Sequence, residues 1–376
     1  MPESDIADLA AKVRRGGRLS FEDGVRLYRT PDLFTLGRLA HERRRALHGN
    51  KTYYVVNRHI NYSNVCTDAC LFCAFGKRKG QKEGYEFTLK EIVAKAMEAE
   101  REGATEIHIV GGLHPDYPYG YYPEMLSAIK AQCPGLHLKA FTAVEIAWIA
   151  EVGKKSIAEV LTDLRAAGLG SLPGGGAEIF APAVRKKICT HKIDADIWAD
   201  VHRTAHAMGL RSTCTMLYGH IESDEDRVDH MLRLRAIQDE HAGPLKATGE
   251  DVDPGRGFTA FIPLAFHPEN TFLPKIPKPT ANLDLRTIAI SRLILDNIPH
   301  IKVYWIMVGI ELAQVGLGFG ADDLDGTVVE EKIYHMAGAQ TPQGLRVADL
   351  EKVIRDAGGV PVRRDSLYKE LATAAG

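Results

Sequence analysis

The feature that most constrains the fold of this chain is a regular alternation of two kinds of segment. Short runs that are apolar or β-branched and bounded by glycine alternate with longer stretches whose apolar residues recur at helical spacing. Eight such pairs fit the sequence, so we predict eight strands. The predicted strands cover residues 53–61, 105–111, 136–143, 171–178, 211–219, 258–266, 301–307 and, more weakly, 319–324.

This alternation predicts an α/β fold with a parallel sheet. Strands that alternate with helices form right-handed βαβ units, which place the strands side by side and parallel. Eight units can close into a TIM-type (β/α)8 barrel, although a partial, open barrel with fewer strands would give almost the same pattern. The predicted helices cover residues 89–102, 122–132, 157–167, 197–208, 224–240, 285–297 and 310–318.

The remaining segments suggest additions to one barrel and no second core. Residues 1–50 look helical and polar, so we expect an N-terminal helical cap ahead of a barrel over residues 51–345. We expect a helix over 347–357 and a tail in the C-terminal segment 346–376. Residues 241–257 are rich in glycine, proline and charge, which is typical of an exposed loop.

Charge and hydropathy exclude two classes of partner. The 376 residues carry 47 Lys+Arg against 49 Asp+Glu, a formal net charge of −2, and a general nucleic-acid binder would need a basic surplus. No apolar run approaches the roughly 18 residues of a membrane span. The first residues carry acids where a secretory leader would carry bases, so we expect a cytoplasmic protein.

Three of the six cysteines lie within eight residues, directly after the first predicted strand. Cys66, Cys70 and Cys73 form a C-x3-C-x2-C set, at the position where barrel enzymes place active-site loops. Structural zinc and ferredoxin-type clusters both use four ligands, and no fourth cysteine follows within fifty residues. Three thiolates on a four-iron cluster would leave one iron open to bind another molecule. The alternatives are a zinc site completed by His59 or His114, or a reactive Cys70/Cys73 pair.

The cysteine loop resembles that of the radical S-adenosylmethionine (radical SAM) enzymes, whose hallmark is C-x3-C-x-aromatic-C with Phe72 in the aromatic place. The resemblance implies a [4Fe-4S] cluster whose fourth iron is chelated by S-adenosylmethionine, and reductive cleavage of that molecule to a 5′-deoxyadenosyl radical. It also implies that the adenine lies beside Phe72 and that Gly111 and Gly112 receive the methionyl amino group. Glu178 is a further candidate, for the ribose hydroxyls or the amine.

The resemblance extends from about residue 20 to about residue 345 and is closest to the aminofutalosine synthase family of menaquinone biosynthesis. It implies that the radical adds to 3-[(1-carboxyvinyl)oxy]benzoate, so that S-adenosylmethionine is consumed as a cosubstrate. The sibling dehypoxanthinylfutalosine cyclase is the alternative within the same class, and a non-catalytic metal-binding barrel is the alternative outside it. The similar segments are NRHINYSNVC, HIVGGLHPDYP, KAFTAVEI, SLPGGGAEIF, TMLYGHIE, FIPLAFHPENTFLP, DNIPHIKVYWIM and FGADDLDGTV.

A substrate with two carboxylates needs cationic or hydrogen-bonding groups at the carboxyl ends of the strands. Several polar residues lie at such ends, and we predict that the histidines among them converge on one face of the barrel. Glu145, after the third strand, is a weaker candidate for S-adenosylmethionine. The predicted catalytic residues are His59, Tyr218, His220 and His267, with Arg58 and His114 as further candidates.

A basic run, Lys77-Arg78-Lys79-Gly80-Gln81-Lys82, follows the cysteine loop. Such a run is usually a solvated loop. Because the cluster needs an external electron and charge steers association, it is also a candidate docking site for an acidic donor such as flavodoxin. Cys133, Cys189 and Cys214 lie in helix or strand contexts and are expected to be small buried apolar groups.

Overall fold

The computed structural model describes residues 5–246 and 255–372, so residues 247–254 of the predicted loop 241–257 lie outside the described part. Within those ranges the chain forms ten strands and fifteen helices. The strands are β1 (Lys51–Val55), β2 (Asn57–Ile60), β3 (Glu106–Ile109), β4 (His137–Ala140), β5 (Leu169–Leu172), β6 (Arg211–Tyr218), β7 (Phe258–Ala265), β8 (His300–Ile301), β9 (Asp323–Gly326) and β10 (Val360–Arg363).

The helices cover the predicted helical stretches and several others. The N-terminal segment holds α1 (Ala7–Arg14), α2 (Phe21–Arg29) and α3 (Leu33–His48). The barrel helices are α4 (Leu89–Arg101), α5 (Tyr121–Gln132), α6 (Ala143–Gly153), α7 (Ile157–Ala166), α8 (Pro182–Ile188), α9 (Ala195–Ala207), α10 (Asp224–Asp239) and α11 (Ala281–Ile294). The last are α12 (Trp305–Val308), α13 (Ile310–Leu317), α14 (Ile333–Met336) and α15 (Val347–Asp356).

Seven parallel strands, in the order β2-β3-β4-β5-β6-β7-β8, form one curled sheet. Its strands follow one another in sequence order, as right-handed βαβ units require. The α/β class is confirmed, and the sheet is the partial form of a TIM-type barrel. A second parallel sheet, in the order β10-β1-β9, continues from the beginning of β2.

The segment 322–329 lies between the two edges of the curled sheet. On one side the Asp322 N–H donates to the Ile301 carbonyl at 3.1 Å. On the other side the His59 N–H donates to the Val329 carbonyl at 2.9 Å. The backbone therefore bridges the opening of the barrel without adding an eighth strand to the main sheet.

Several predicted strands differ from the observed ones. The first is divided into β1 and β2, which pair in different sheets. The fourth ends at Leu172, because Pro173 and three glycines follow. The seventh shortens to His300–Ile301 before α12. The weak eighth becomes β9 in the second sheet, and β10, which follows α15, was not predicted.

The barrel interior contains charged and imidazole side chains as well as apolar ones. Because side chains alternate along a strand, one set on each strand faces inward. Inward-facing polar residues include His59 on β2, Glu106 and His108 on β3, and Lys139 on β4. In the described ranges, none of the helices combines the length and the apolar character that crossing a bilayer requires.

Candidate active site

A cavity of about 340 Å³ opens at the carboxyl ends of the barrel strands. Active sites of barrel enzymes lie at this end, because the loops that follow the strands meet there. The wall nearest the mouth is formed by the cysteine loop and by two glycine segments. Of the residues predicted from sequence, Cys66, Cys70, Cys73, Phe72, Gly111, Gly112, Glu145, Glu178 and His59 line this cavity.

The cysteine loop is held by backbone hydrogen bonds from three directions. The Leu71 N–H donates to the Ile188 carbonyl at the end of α8, and the Phe272 N–H donates to the Leu71 carbonyl, both at 2.8 Å. The Thr67 N–H donates to the Leu113 carbonyl at 3.0 Å. These bonds fix the path of the loop, so the three thiols are positioned by the folded chain itself.

The three thiols lie in a largely buried environment. Cys70 is buried, and Cys66 and Cys73 are half-buried. Burial raises the pKa of the Cys66 and Cys70 thiols, since an isolated thiolate is poorly solvated there. A metal centre reverses this effect because it stabilises the thiolate form.

The spacing of the thiols distinguishes a cluster from a single ion. Zinc bonds to sulfur at about 2.3 Å, which places tetrahedral ligand atoms about 3.8 Å apart. In the described chain, the one set of three potential ligand atoms found within 4.8 Å of one another is His48, His300 and Asp322, away from the cysteines. The three thiol sulfur atoms therefore do not all lie within 4.8 Å of one another, which is wider than the ligand spacing of a single tetrahedral zinc ion.

Gly111 and Gly112 follow β3 and lie directly against the segment that leads into the cysteine loop. A Cβ at Gly112 would lie 2.2 Å from the Val65 carbonyl oxygen, and a Cβ at Gly111 would lie 2.5 Å from the Tyr62 ring. A larger residue at Gly112 would require movement of the backbone, and one at Gly111 would require movement of the Tyr62 ring. The glycine pair therefore lets two chain segments approach closely beside the cysteines.

Glu145 connects the glycine pair to the N-terminus of α6. Its carboxyl group accepts hydrogen bonds from the Gly111 N–H at 2.9 Å, the Tyr62 hydroxyl at 3.0 Å and the Thr142 N–H at 2.8 Å. Despite these donors, burial raises the pKa of Glu145 to about 7. Glu145 is thus a capping-box residue whose carboxyl group also forms part of the cavity wall.

Glu178 follows the glycine run after β5 and forms an ion pair in the cavity wall. The Lys192 ammonium lies 2.6 Å from its carboxylate and 5.3 Å from the centroid of the Phe72 ring. Burial lowers the pKa of Lys192, but Cys70 and Glu178 outweigh it and raise the pKa well above the ordinary value. No pattern in the sequence identifies Lys192, because its place in the site depends on its contacts with Glu178 and Phe72.

The deeper wall of the cavity is more polar than the sequence suggested. The His59 ring stacks on His108 with centroids 4.5 Å apart and an interplanar angle of 11°. Lys139 pairs with Glu106 at 2.8 Å, and Lys302 pairs with Asp325 at 2.7 Å. A lysine at an inward position of a short buried strand, as in His-Leu-Lys-Ala, is the signal that could have identified Lys139.

Three of the four predicted catalytic residues do not line the cavity. The Tyr218 hydroxyl donates to Asp284 on α11 at 2.7 Å, because Thr213 and Thr215 face inward and residue 218 therefore faces outward. His220 lies 3.0 Å from Glu222, and His267 Nε2 donates to the Met307 carbonyl at 2.9 Å.

The two further candidates also lie elsewhere. Arg58 faces outward and pairs with Glu98 on α4 at 2.8 Å. His114 stacks on Tyr117, with ring centroids 3.8 Å apart. The predicted convergence of histidines is therefore corrected, since His59 alone among His59, His114, His220 and His267 lines the cavity. The histidine that accompanies it is His108, which the sequence did not single out.

Comparison with known proteins agrees with this geometry. Residues 60–234 match the model of the radical SAM superfamily, and residues 255–375 match that of the CofH/MqnC C-terminal region. In overall fold the chain is similar to methylornithine synthase (PylB), with a TM-score of 0.72 at 19% identity over 94% of this chain and 97% of that one.

Similarity to curated proteins extends over nearly the whole chain. Aminodeoxyfutalosine synthase of Thermus thermophilus is 47% identical over 97% of this chain and 96% of its own length. The protein of that name from Streptomyces coelicolor is 45% identical over 97% of this chain and 93% of its length. Cyclic dehypoxanthine futalosine synthase of Streptomyces coelicolor is 37% identical over 98% of this chain and 90% of its length.

The chain therefore belongs to the radical SAM superfamily and is an enzyme. Within that superfamily it falls in the group that carries the CofH/MqnC C-terminal region, together with the aminodeoxyfutalosine synthases.

Proposed function

We propose that this enzyme is an aminofutalosine (aminodeoxyfutalosine) synthase of the futalosine route to menaquinone. Its reaction would join the adenosyl group of S-adenosylmethionine to 3-[(1-carboxyvinyl)oxy]benzoate and give 6-amino-6-deoxyfutalosine, bicarbonate and methionine. The observation that carries the proposal is the 45–47% identity to synthases over 97% of the chain, combined with a cysteine loop that lines one enclosed cavity.

In this proposal Cys66, Cys70 and Cys73 hold three irons of a [4Fe-4S] cluster. The cluster and S-adenosylmethionine together supply a reductively generated 5′-deoxyadenosyl radical. Phe72 would provide an aromatic surface for the adenine, and the Gly111–Gly112 backbone would receive the methionyl group. Glu178 faces the same part of the cavity and is proposed to bind the ribose or the amine.

The remaining contribution of the chain is to hold reactants in place and keep water out. The cavity is walled by Val144, Ile262 and Leu264 as well as by polar groups. A reactive carbon-centred species needs such a wall, because positioning and exclusion of solvent decide which bond forms. The chain thus supplies positioning and charge recognition, while the radical chemistry belongs to the cofactors.

The product ratio separates the synthase from the sibling cyclase. A synthase forms one adenosyl–substrate adduct for each methionine released, whereas a reaction by hydrogen abstraction releases free 5′-deoxyadenosine instead. The test is anaerobic turnover of the reconstituted enzyme with 3-[(1-carboxyvinyl)oxy]benzoate, with both products quantified by mass spectrometry. An adduct equimolar with methionine is the expected result. Methionine equimolar with 5′-deoxyadenosine, and no adduct, would reject the synthase assignment.

An acidic electron donor such as flavodoxin, docking at residues 77–82, is part of the proposal. Lys77 pairs with Glu83 at 2.6 Å, Lys79 pairs with Asp116, and Arg78 donates to the Thr67 carbonyl beside Cys66. Part of the positive charge is thus neutralised within the chain. Reversing Lys79 and Lys82 should lower kcat/KM for flavodoxin about tenfold and leave dithionite-driven turnover unchanged. The same reversal at Lys352 and Lys369 is the control; equal losses with both reductants would contradict the docking site.

We also place the enzyme in the cytoplasm. Three unpaired thiols within eight residues need a reducing compartment, because an oxidising one would convert neighbouring thiols to disulfides.

A further inference from the structure

The polar groups that line the cavity divide into those already paired and those left over. Two buried lysines and one half-buried lysine reach the cavity, and each has its own carboxylate partner. Lys139 pairs with Glu106 at 2.8 Å, Lys302 with Asp325 at 2.7 Å, and Lys192 with Glu178 at 2.6 Å. Because these charges are already matched one to one, the lysines are not the groups that most need a ligand.

The stacked pair His59 and His108 is left over. Within the part of the chain that the structure describes, neither imidazole ring forms a hydrogen bond. Both rings line the cavity, although the His59 Nε2 atom is closed to solvent and does not itself face the open space. An imidazole N–H in a cavity wall that has no partner within the protein is a group that a ligand carboxylate can pair with.

The geometry of the pair suits a carboxylate. His59 and His108 are direct partners in the β2–β3 register, which holds the rings side by side and nearly parallel. Each neutral imidazole carries one N–H donor, and a carboxylate has two oxygens that accept. Two parallel rings can therefore donate one hydrogen bond to each oxygen of a single carboxylate, as the two N–H groups of an arginine side chain do.

The position of the pair sets which part of a ligand it meets. His108 precedes Gly111 by three residues, about 10 Å along an extended strand. The glycine pair and the cysteines lie at the mouth, so the histidines lie deeper. A ligand held between them would present one end to the cysteine loop and the other to the histidines. A substituted aromatic ring is long enough to span this distance between the histidines and the cysteine loop.

We propose that the stacked pair His59–His108 binds the ring carboxylate of the benzoate substrate and so sets which end of the substrate faces the cysteine loop. This inference rests on the proposed function, since it takes the benzoate as the substrate. Neither histidine takes part in bond formation in this role. Both are specificity-determining residues that recognise an aryl carboxylate.

The electrostatic surroundings link this binding to proton uptake. Burial lowers the pKa of both histidines. At His108, the neighbouring His59 and Lys139 lower the pKa further. At His59, the nearby carboxylates oppose this lowering; they belong to Glu331, Asp325 and Glu106. The pair is therefore neutral when no ligand is bound. A carboxylate beside it favours the imidazolium form, so substrate affinity should fall as pH rises, and this dependence should vanish when the histidines are replaced.

The test measures equilibrium binding to the reconstituted holoenzyme with S-adenosylmethionine and no reductant, so that no turnover occurs. Two probes are compared, 3-[(1-carboxyvinyl)oxy]benzoate and the same molecule without the ring carboxylate. The native enzyme should bind the first about 10- to 100-fold more tightly. His108→Phe and His59→Phe keep an aromatic ring but remove the N–H, and each should abolish most of this preference while leaving the affinity for the second probe unchanged.

Three comparisons keep the outcome decisive. His41→Phe, on α3 and away from the cavity, should leave both affinities unchanged. His108→Gln restores an N–H donor and should recover part of the preference.

Equal weakening of both probes by His108→Phe would indicate a structural role and overturn the inference. If the native enzyme bound both probes equally, the carboxylate contact would be rejected and the proposed function kept. If it bound neither, both would be rejected.

Discussion

The two ends of the barrel use buried polar groups in opposite ways. At the cavity end, the rings of His59 and His108 and the three thiols line a space that a ligand can fill. At the other end, the Asp322 carboxylate accepts from Arg292, from His300 Nδ1 at 2.5 Å and from the Ile301 N–H at 2.8 Å. The cavity end leaves some of its polar groups for a ligand, whereas the other end gathers several donors around one carboxylate. This is the division expected between the functional and the stabilising ends of a barrel.

Carboxyl groups at the two ends show the same contrast. Burial opposes ionisation of Asp322, but His48, Arg292 and His300 hold its pKa well below the ordinary value. Glu145 at the cavity end has donors but no cationic partner, and burial raises its pKa to about 7. The lesson is that a buried carboxyl group stabilises the fold where cations surround it and costs stability where it serves a site.

The largest predicted effect is a loss of activity when a cysteine at the cavity end is replaced. Replacing Cys66, Cys70 or Cys73 singly with Ala should lower activity by more than about a thousandfold, because one missing thiolate prevents the cluster from assembling. Iron and sulfide content and low-temperature EPR of the reduced protein check this, and the far-ultraviolet circular dichroism should not change. Cys214→Ala, at a buried position in β6, should retain full iron content. A single loop variant that kept both iron and activity would refute the assignment.

The next largest predicted effect is a loss of stability when the ion pair at the other end of the barrel is broken. Asp322→Asn leaves the buried Arg292 guanidinium without its anion, so the free energy of unfolding should fall by about 3–5 kcal/mol. The kcat of the folded fraction should stay unchanged. Urea unfolding followed by fluorescence measures the first quantity. Asp356→Asn, which removes an exposed pair with Lys352, should change stability by less than about 1 kcal/mol. Similar losses in the two variants would remove the contrast between buried and exposed pairs.

The smallest effect should be a pH dependence at the cavity end. The pKa of Glu145 is about 7 in the folded protein against 4.5 unfolded, so the folded state binds the extra proton. Stability should therefore fall as pH rises from about 4.5 to about 7, by a total of about 3 kcal/mol. Glu145→Gln should remove this slope and make the protein more stable at pH 8.

Glu91 provides a matched control for that measurement. It forms the same capping box, with Thr88, but its carboxyl group is exposed and its pKa is lowered by the backbone N–H of Thr88. Glu91→Gln should leave the fall in stability between pH 4.5 and 7 in place. If Glu145→Gln kept that fall as well, another group at the cavity end would have to be its source.

The parts of the fold that depend on local pattern could be predicted from sequence. Hydrophobic period and glycine boundaries place most of the helices and the strands β3, β4, β6 and β7 close to their observed positions. Pairing between distant segments could not be read in this way. Strand β10 pairs with β1, but its four residues, Val-Pro-Val-Arg, include a proline and none of them is buried, so they carry little signal of a strand.

The same distinction, between local sequence pattern and pairing of distant segments, applies to the residues of the candidate site. The cysteine loop and the glycine pair have short sequence signatures, and the structure brings them together in the cavity. Tyr218, His220 and His267 lie at strand ends too, but the position of a residue in sequence does not tell which way its side chain faces. His108, Lys139 and Lys302 were missed because their importance comes from partners on neighbouring strands. Tyr218 lies three residues, an odd number, from the inward-facing Thr215, so strand alternation places it on the outward side.

The pairing of β1 with β10 has a consequence for how the chain folds as it leaves the ribosome. Lys51 lies opposite Val360, so β1 emerges about 300 residues before its partner strand. At typical bacterial or eukaryotic elongation rates this is a wait of roughly 15 to 60 seconds. Through that interval the edge of β1 that will carry β10 stays unpaired, while the cysteine loop and the first strands of the main sheet are already available. We expect the sheet formed by β10, β1 and β9 to be the last part of the described fold to complete its strand pairing.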